Sequence, residues 1–347
     1  MHRSDKATLR LALGLGLAAA IAYGGGLTAP YVVCVLAVLL LLKPGPPLPL
    51  GTGLVAAGLL AVLVAAGIVM VPLLEHYAAA GVLLTALLLF ATVFTGQLSG
   101  SPLTMVLVIA FMLVPVAGVV SQALVGALAL TLATGIAVGT LVSALSAAFF
   151  PDTRRTSAAA ALPVRPTRAA AAWIAGRATV IVMPVFVLAL TDPSFYLAAV
   201  LKTVALAQQA GETNARSAGR ELVGSTLMGA ILAAAVWTGL SAWPSLWMLV
   251  LWLMAAGLWA GSALTGVRRS RFPPSFWSNA LITALILLGP AIEDSASGKS
   301  VIHGTLVRTA LFVVVALYAW ATIWLLERWH GRRTSAHPII PCEEKTA

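Results

Sequence analysis

The chain has 347 residues, of which 60% are apolar and only 9% are Asp, Glu, Lys or Arg. Soluble domains carry about a quarter charged residues, so this composition excludes a soluble globular protein. The net charge of +10 is not a nucleic-acid signature, because nucleic-acid-binding proteins cluster their charge on a polar surface. Here the few charges separate long, continuous apolar runs. The sequence therefore predicts an all-α integral membrane protein embedded in the lipid bilayer, with no nucleic-acid partner.

Apolar runs bounded by Gly, Pro and charged residues predict the membrane-spanning helices, each of which needs about 20 apolar residues. Twelve runs qualify, and because several are short, eleven spans remain an alternative. The predicted spans are 8–23, 30–42, 51–71, 79–95, 103–120, 123–148, 173–189, 193–209, 221–242, 245–265, 275–290 and 301–326.

The distribution of Lys and Arg predicts the orientation, because cytoplasmic loops carry an excess of positive charge. With the N-terminus inside, eighteen of the 21 Lys and Arg residues lie on the cytoplasmic side. The opposite side holds Lys299 and four acids, Glu75, Asp192, Glu293 and Asp294. Both termini are then cytoplasmic, which favours an even number of spans.

The chain divides into two halves that predict an internal repeat. In the first half Arg10 and an apolar run precede Pro30, just as Arg177 and an apolar run precede Pro193 in the second. Six spans per half give both halves the same orientation, which is a parallel repeat about an axis along the membrane normal. The predicted units are a first six-helix repeat at 1–150, a cytoplasmic linker at 151–172, a second six-helix repeat at 173–330 and a cytoplasmic tail at 331–347.

A motif opens the ninth span and reads Arg220-Glu-Leu-Val-Gly224-Ser-Thr-Leu-Met-Gly229. With an Arg-led first helix, a Pro-aromatic start of the second and the six-plus-six layout, it resembles the fusaric-acid-resistance and aromatic-acid-exporter family of bacterial inner-membrane proteins. The resemblance implies an inner-membrane efflux transporter, and not an enzyme, that exports aromatic or hydrophobic carboxylic acids. It further implies a proton-driven mechanism, a periplasmic membrane-fusion adaptor as partner and compatibility with a homo-oligomer.

Two departures from the family pattern indicate a compact branch. Larger members have a sizeable soluble domain after the first six spans, where this chain has about twenty residues, and the first half lacks an Arg directly before Gly51-Thr-Gly. A more distant resemblance is to plant malate-type anion channels. A passive anion channel is therefore an alternative to the exporter.

Two ionisable residues within predicted spans are candidates for transport, because a charge at the bilayer centre costs roughly 2.5–3.5 kcal/mol on insertion scales. Lys202 lies near the middle of span 193–209, and Arg308 lies about seven residues into the last span. Two buried cations favour a pathway for a small anionic substrate. For Lys202, snorkelling of its long side chain toward the cytoplasm is the alternative.

The polar segment between the eighth and ninth spans predicts a cytoplasmic mouth that collects the anion. Arg216 and Arg220 would supply charge and Gln208 an amide donor; an ordinary positive-inside loop is the alternative. Ser225 and Thr226 follow within the ninth span. Their hydroxyls could bond a ligand or merely their own backbone.

Asp192 and His303 are the candidates for proton coupling. Asp192 precedes Pro193 at the outer end of a span, where it either caps the helix or pairs with Arg308 or His303. A histidine titrates near neutral pH, which suits a proton relay, and a solvated residue at the membrane interface is the alternative.

The sequence offers little to a membrane enzyme acting on lipid-linked substrates, which is the least favoured alternative. Asp-x-x-x-Asp pairs, His-Glu-x-x-His and a Walker motif are absent from it, and no cofactor or metal site is predicted. Three tryptophans, Trp252, Trp259 and Trp277, lie away from the predicted aromatic belts. They either contact lipid or stack against an aromatic substrate.

Overall fold

The computed structural model describes residues 3–42, 51, 55, 58, 70–100, 104–151, 166–210, 215–298 and 300–335. Over these residues the secondary structure is helical, with no strand. The helices named here are α1 (Arg3–Gly24), α2 (Pro30–Leu41), α3 (Ala78–Ser99), α4 (Thr104–Val120), α5 (Gln122–Phe149), α6 (Arg168–Thr191), α7 (Pro193–Ala210), α8 (Ala215–Ala242), α9 (Leu246–Leu264), α10 (Pro274–Ala296) and α11 (Val301–Ser335).

Eight of the described helices are long and apolar enough to cross a membrane, and α2, α4 and α7 contain shorter apolar segments. This confirms an all-α, multi-pass membrane protein. The predicted span 51–71 lies almost entirely outside the described residues, as do most of the linker 151–172 and residues 336–347 of the tail.

One predicted helix end, at a proline, is wrong. The sequence placed the end of a span at Pro290, because proline removes a backbone donor and disturbs the preceding turn. In the structure α10 continues through Pro290 to Ala296. Helices α4 and α6 likewise contain Pro115 and Pro184. Neighbouring helices make such interior prolines tolerable in membrane proteins.

Helix α10 is the centre of the fold. Its residues are buried along nearly the whole length, and it contacts α2, α7, α8, α9 and α11. The most extensive pairings are those of α10 with α8 and of α1 with α9. Helix α3 packs on α6, α2 packs on α5 and contacts α10, and α4 contacts α7.

Two arginines connect pairs of helices. The Arg10 Nε donates to the Phe150 carbonyl at 2.9 Å, which brings the start of α1 to the end of α5. The Arg177 Nη1 lies 3.3 Å from the Glu327 Oε1 and joins α6 to α11. The sequence treated Arg177 as a cytoplasmic charge, but its side chain is only 6% exposed. Arg177 is the tenth residue of α6, and the Glu327 carboxylate balances its charge in the packed bundle.

Glycines on α8 let neighbouring helices approach and form a small-residue seam of the kind that drives helix association in membranes. A Cβ atom at Gly229 would lie 2.6 Å from the Ala280 carbonyl oxygen on α10. One at Gly224 would lie 3.2 Å from the Phe276 ring. Close contact between α8 and α10 therefore depends on Gly229, where the obstacle is backbone.

We expect Gly229→Ala to lower the stability of the protein by about 1–3 kcal/mol, because the added methyl overpacks a rigid contact. The matched control is Gly176→Ala in α6, where an added Cβ meets nothing within 4 Å, and there stability should be unchanged or slightly raised. Thermal unfolding of both purified variants in the same detergent measures the difference. Equal unfolding temperatures would contradict the seam.

Candidate functional site

Lys202 is the tenth of the 18 residues of α7 and lies in the interior of the helix bundle. Its side chain is 0% exposed. The ammonium donates hydrogen bonds to two side chains of α10, the Asn279 Oδ1 at 3.0 Å and the Thr283 Oγ1 at 2.5 Å. Because Nζ is held by these interior partners, the snorkelling alternative is wrong for this residue.

A chain of hydrogen bonds extends from Lys202 to α8. The Asn279 Nδ2 donates to the Ser225 Oγ at 2.5 Å, and Ser225 donates to the Leu222 carbonyl at 3.2 Å. The Thr283 hydroxyl, which accepts from Lys202, donates to the Asn279 carbonyl at 2.6 Å. The two hydroxyl groups of this chain, those of Ser225 and Thr283, thus donate to backbone carbonyls. We call Lys202, Ser225, Asn279 and Thr283 the Lys202 network.

The side chains that bind Lys202 are neutral. Among the described residues, no carboxylate lies within 4 Å of its ammonium; Glu327 and Asp294 are instead paired with Arg177 and Arg308. A buried ammonium is costly unless it is paired. A protonated Lys202 therefore has no acid among the described residues to balance its charge, and a bound anion would supply that balance.

The local sequence explains how α10 supplies two partners. Asn279 and Thr283 are four residues apart, so they share one face of the helix. Sequence reasoning missed both, because it searched the spans for ionisable groups and these side chains are uncharged. The usable signal was a polar pair with helical spacing inside an otherwise apolar run.

The structure brings together two of the predicted substrate-binding residues, Lys202 and Ser225. Thr226 is also buried, but its hydroxyl donates to the Leu222 carbonyl at 2.7 Å, so it bonds its own helix. Arg220 is exposed near the start of α8. Gln208 and Arg216 belong to helix ends whose side chains lie outside the described residues.

Arg308 is engaged by an acid that the sequence had assigned only to the outer side. Its Nη1 lies 2.5 Å from the Asp294 Oδ2, and the two side chains are 22% and 13% exposed. A Cβ at Gly304 would lie 2.8 Å from that carboxylate, so glycine makes room for the pair. The prediction that Asp192 pairs with Arg308 is therefore wrong. Because α10 continues to Ala296, Asp294 lies alongside α11.

The two predicted proton-coupling residues lie at helix ends. The Asp192 Oδ1 accepts from the Phe195 N–H at 3.2 Å, which confirms its role as the cap of α7. His303 is exposed in the first turn of α11, in agreement with the alternative of a solvated interfacial residue. Neither residue contacts the Lys202 network.

Two of the three tryptophans that lie away from the predicted aromatic belts pack against an arginine side chain. The Trp259 and Trp277 rings meet edge to face at 5.0 Å, and the Arg268 guanidinium lies 4.5 Å and 4.9 Å from their centres. Trp277 is 5% exposed, so the alternative that its ring contacts lipid is wrong. The Trp252 ring covers Gly239, where a Cβ would overlap it.

Comparisons with protein-family models, curated proteins and solved structures give no match to this chain. Membership of the exporter family therefore stays a prediction from the motif residues.

Proposed function

We propose that this protein is an inner-membrane efflux transporter that exports aromatic or other hydrophobic carboxylic acids as anions. The observation that carries the proposal is the fully buried Lys202 ammonium with neutral partners. Charged side chains within spans mark substrate or ion pathways by default. Two of the three ammonium donors are used by Asn279 and Thr283, which leaves one for a substrate carboxylate.

The proposed layout is twelve spans in two parallel six-helix repeats, with both termini in the cytoplasm. Reciprocal packing supports it. The first helix of each half packs on the fourth predicted span of the other half, as α1 does on α9 and α6 on α3. The second of each half contacts the fifth of the other, as α2 does with α10 and α7 with α4. Arg10 and Arg177 each bind the last helix of their own half, at the end of α5 and at Glu327 of α11.

The driving force, the periplasmic adaptor and a homo-oligomeric state are supported by the family resemblance alone. One structural observation favours the second candidate, a passive anion channel. No carboxylate among the described residues lies within 4 Å of Lys202, and Asp192 and His303 are remote from the network. A channel needs the cation but no proton carrier.

Proteoliposomes containing the purified protein test the proposal against its alternative. With benzoate as the probe, an exporter should accumulate the acid against its gradient when a proton gradient is imposed, and an uncoupler should abolish the accumulation. A channel should instead carry benzoate current without a proton gradient. Absence of both accumulation and current would refute anion transport.

A further inference from the structure

An apolar groove lies between α8 and α9, and none of the predicted site residues belongs to it. It has a volume of about 390 Å³ and is lined by Met228, Ile231 and Ala235 of α8 and by Trp252, Ala255 and Trp259 of α9, among others. That volume lies within the range of small-molecule sites, about 300–1,000 Å³. Trp252 and Trp259 are two turns apart on one face of α9, so they flank about 10 Å of the groove.

The guanidinium of Arg268 lies at one end of this groove. Trp259, which lines the groove, also stacks under the Arg268 guanidinium at 4.5 Å. Arg268 is exposed, and no carboxylate among the described residues lies within 4 Å of it. The cation–π contacts with Trp259 and Trp277 hold the guanidinium in place. The occupant that matches is an amphiphile with an apolar ring or chain and a negatively charged head.

The groove and the Lys202 network share helix α8. Met228 lines the groove, and Ser225, three residues earlier, belongs to the network. Residues three apart are neighbours on a helix surface. On the α10 side, Trp277 contacts Trp259 and lies two residues before Asn279. An amphiphile in the groove is therefore within one helical turn of Ser225, the α8 member of the Lys202 network.

We propose that this groove is a lateral binding site through which an aromatic carboxylate reaches the protein from the bilayer. The aromatic ring lies between Trp252 and Trp259, and the carboxylate is bound by Arg268. This inference rests on the proposed function, since it assigns the same substrate class a point of access. Binding at the groove is nevertheless measured independently of transport.

Photolabelling tests the groove. Purified protein in phosphatidylcholine nanodiscs is irradiated with benzoylbenzoate, a photoreactive aromatic carboxylate, and labelled peptides are identified by mass spectrometry. We expect labelling of α8 and α9 around Ala235 and Ala255. Ala235→Trp, which fills the groove, should lower labelling by about tenfold, equivalent to about 1.4 kcal/mol. Ala234→Trp is the matched control, because Ala234 is an exposed neighbour outside the lining.

A second set of variants keeps the test decisive. If Ala235→Trp does not fold, Ala255→Trp fills the groove from α9 and should have the same effect. Arg268→Gln should reduce labelling by the carboxylate probe by about threefold, the scale of an exposed charge pair, without changing labelling by the uncharged amide of the probe. Equal labelling of Ala234→Trp and Ala235→Trp, or loss of labelling when phosphatidylglycerol replaces phosphatidylcholine, would overturn the proposal.

Failure of this inference and failure of the proposed function are distinguishable. Lys202→Met should stop benzoate transport and leave groove labelling intact. Transport by the native protein without groove labelling refutes lateral access alone. Groove labelling without any transport refutes the transporter and retains the binding site.

Discussion

Lys202→Met should abolish acid efflux while the protein remains folded and membrane-inserted. Methionine keeps much of the length of the side chain and removes the charge, so the substrate carboxylate loses its buried partner. The substitution removes a buried polar group whose desolvation is costly, and it leaves the Asn279 Oδ1 without its Lys202 donor. The lost hydrogen bond costs about 1–3 kcal/mol, which the protein should tolerate without unfolding. The measurement is benzoate transport in proteoliposomes, together with the unfolding temperature of the same preparation. Lys202→Ala should abolish efflux as well.

The matched control for this prediction is Thr226→Val. Thr226 is as fully buried as Lys202, but its hydroxyl bonds only the backbone of its own helix. Valine preserves its shape, so transport should persist near the native rate. Native transport by Lys202→Met would remove the ammonium from the mechanism and with it the observation on which the proposed function depends.

Arg308→Ala should reduce the stability of the protein as well as its transport activity. Lys202→Met, in contrast, should abolish transport while the protein remains folded. It leaves the Asp294 carboxylate partly buried without its cation, and breaking such a pair costs about 3–5 kcal/mol when it is fully buried. Because the two side chains are 22% and 13% exposed, we expect a smaller loss of about 2 kcal/mol. Unfolding temperature and membrane abundance measure it.

A double-mutant cycle shows whether Arg308 also binds substrate. Arg308→Gln with Asp294→Asn removes both charges and should recover most of the lost stability, since no uncompensated charge remains. A structural cation predicts that transport recovers together with stability. A pore-lining cation predicts a stable protein without transport, so a transporting double variant would eliminate Arg308 from the anion pathway.

The fold class could be predicted because it depends on a property that the sequence displays directly. Long apolar runs such as 123–148 and 245–265 correspond closely to α5 and α9. Helix ends were less predictable. Pro290 marks a break in isolated helices, but in α10 the surrounding helices compensate for the missing donor.

The candidate site could be predicted only in part, for a physical reason. A lysine at mid-span is visible from the sequence because its desolvation cost is large. Its partners Asn279 and Thr283 carry no charge, and they become significant only when α10 is packed against α7. The acid beside Arg308 was likewise hidden, since Asp294 and Asp192 are equally plausible until packing shows which lies alongside α11.

The pairing of α1 with α9 has a consequence for biogenesis. Helices in a bilayer associate by packing after each has been inserted. The first helix of this chain makes its most extensive contact with a helix that begins only at Leu246. Until that helix enters the membrane, α1 has lipid on the face that α9 will cover, including Gly16, which packs against Met254 of α9. Assembly therefore cannot finish one half at a time, and the native bundle closes only after most of the polypeptide has been synthesised.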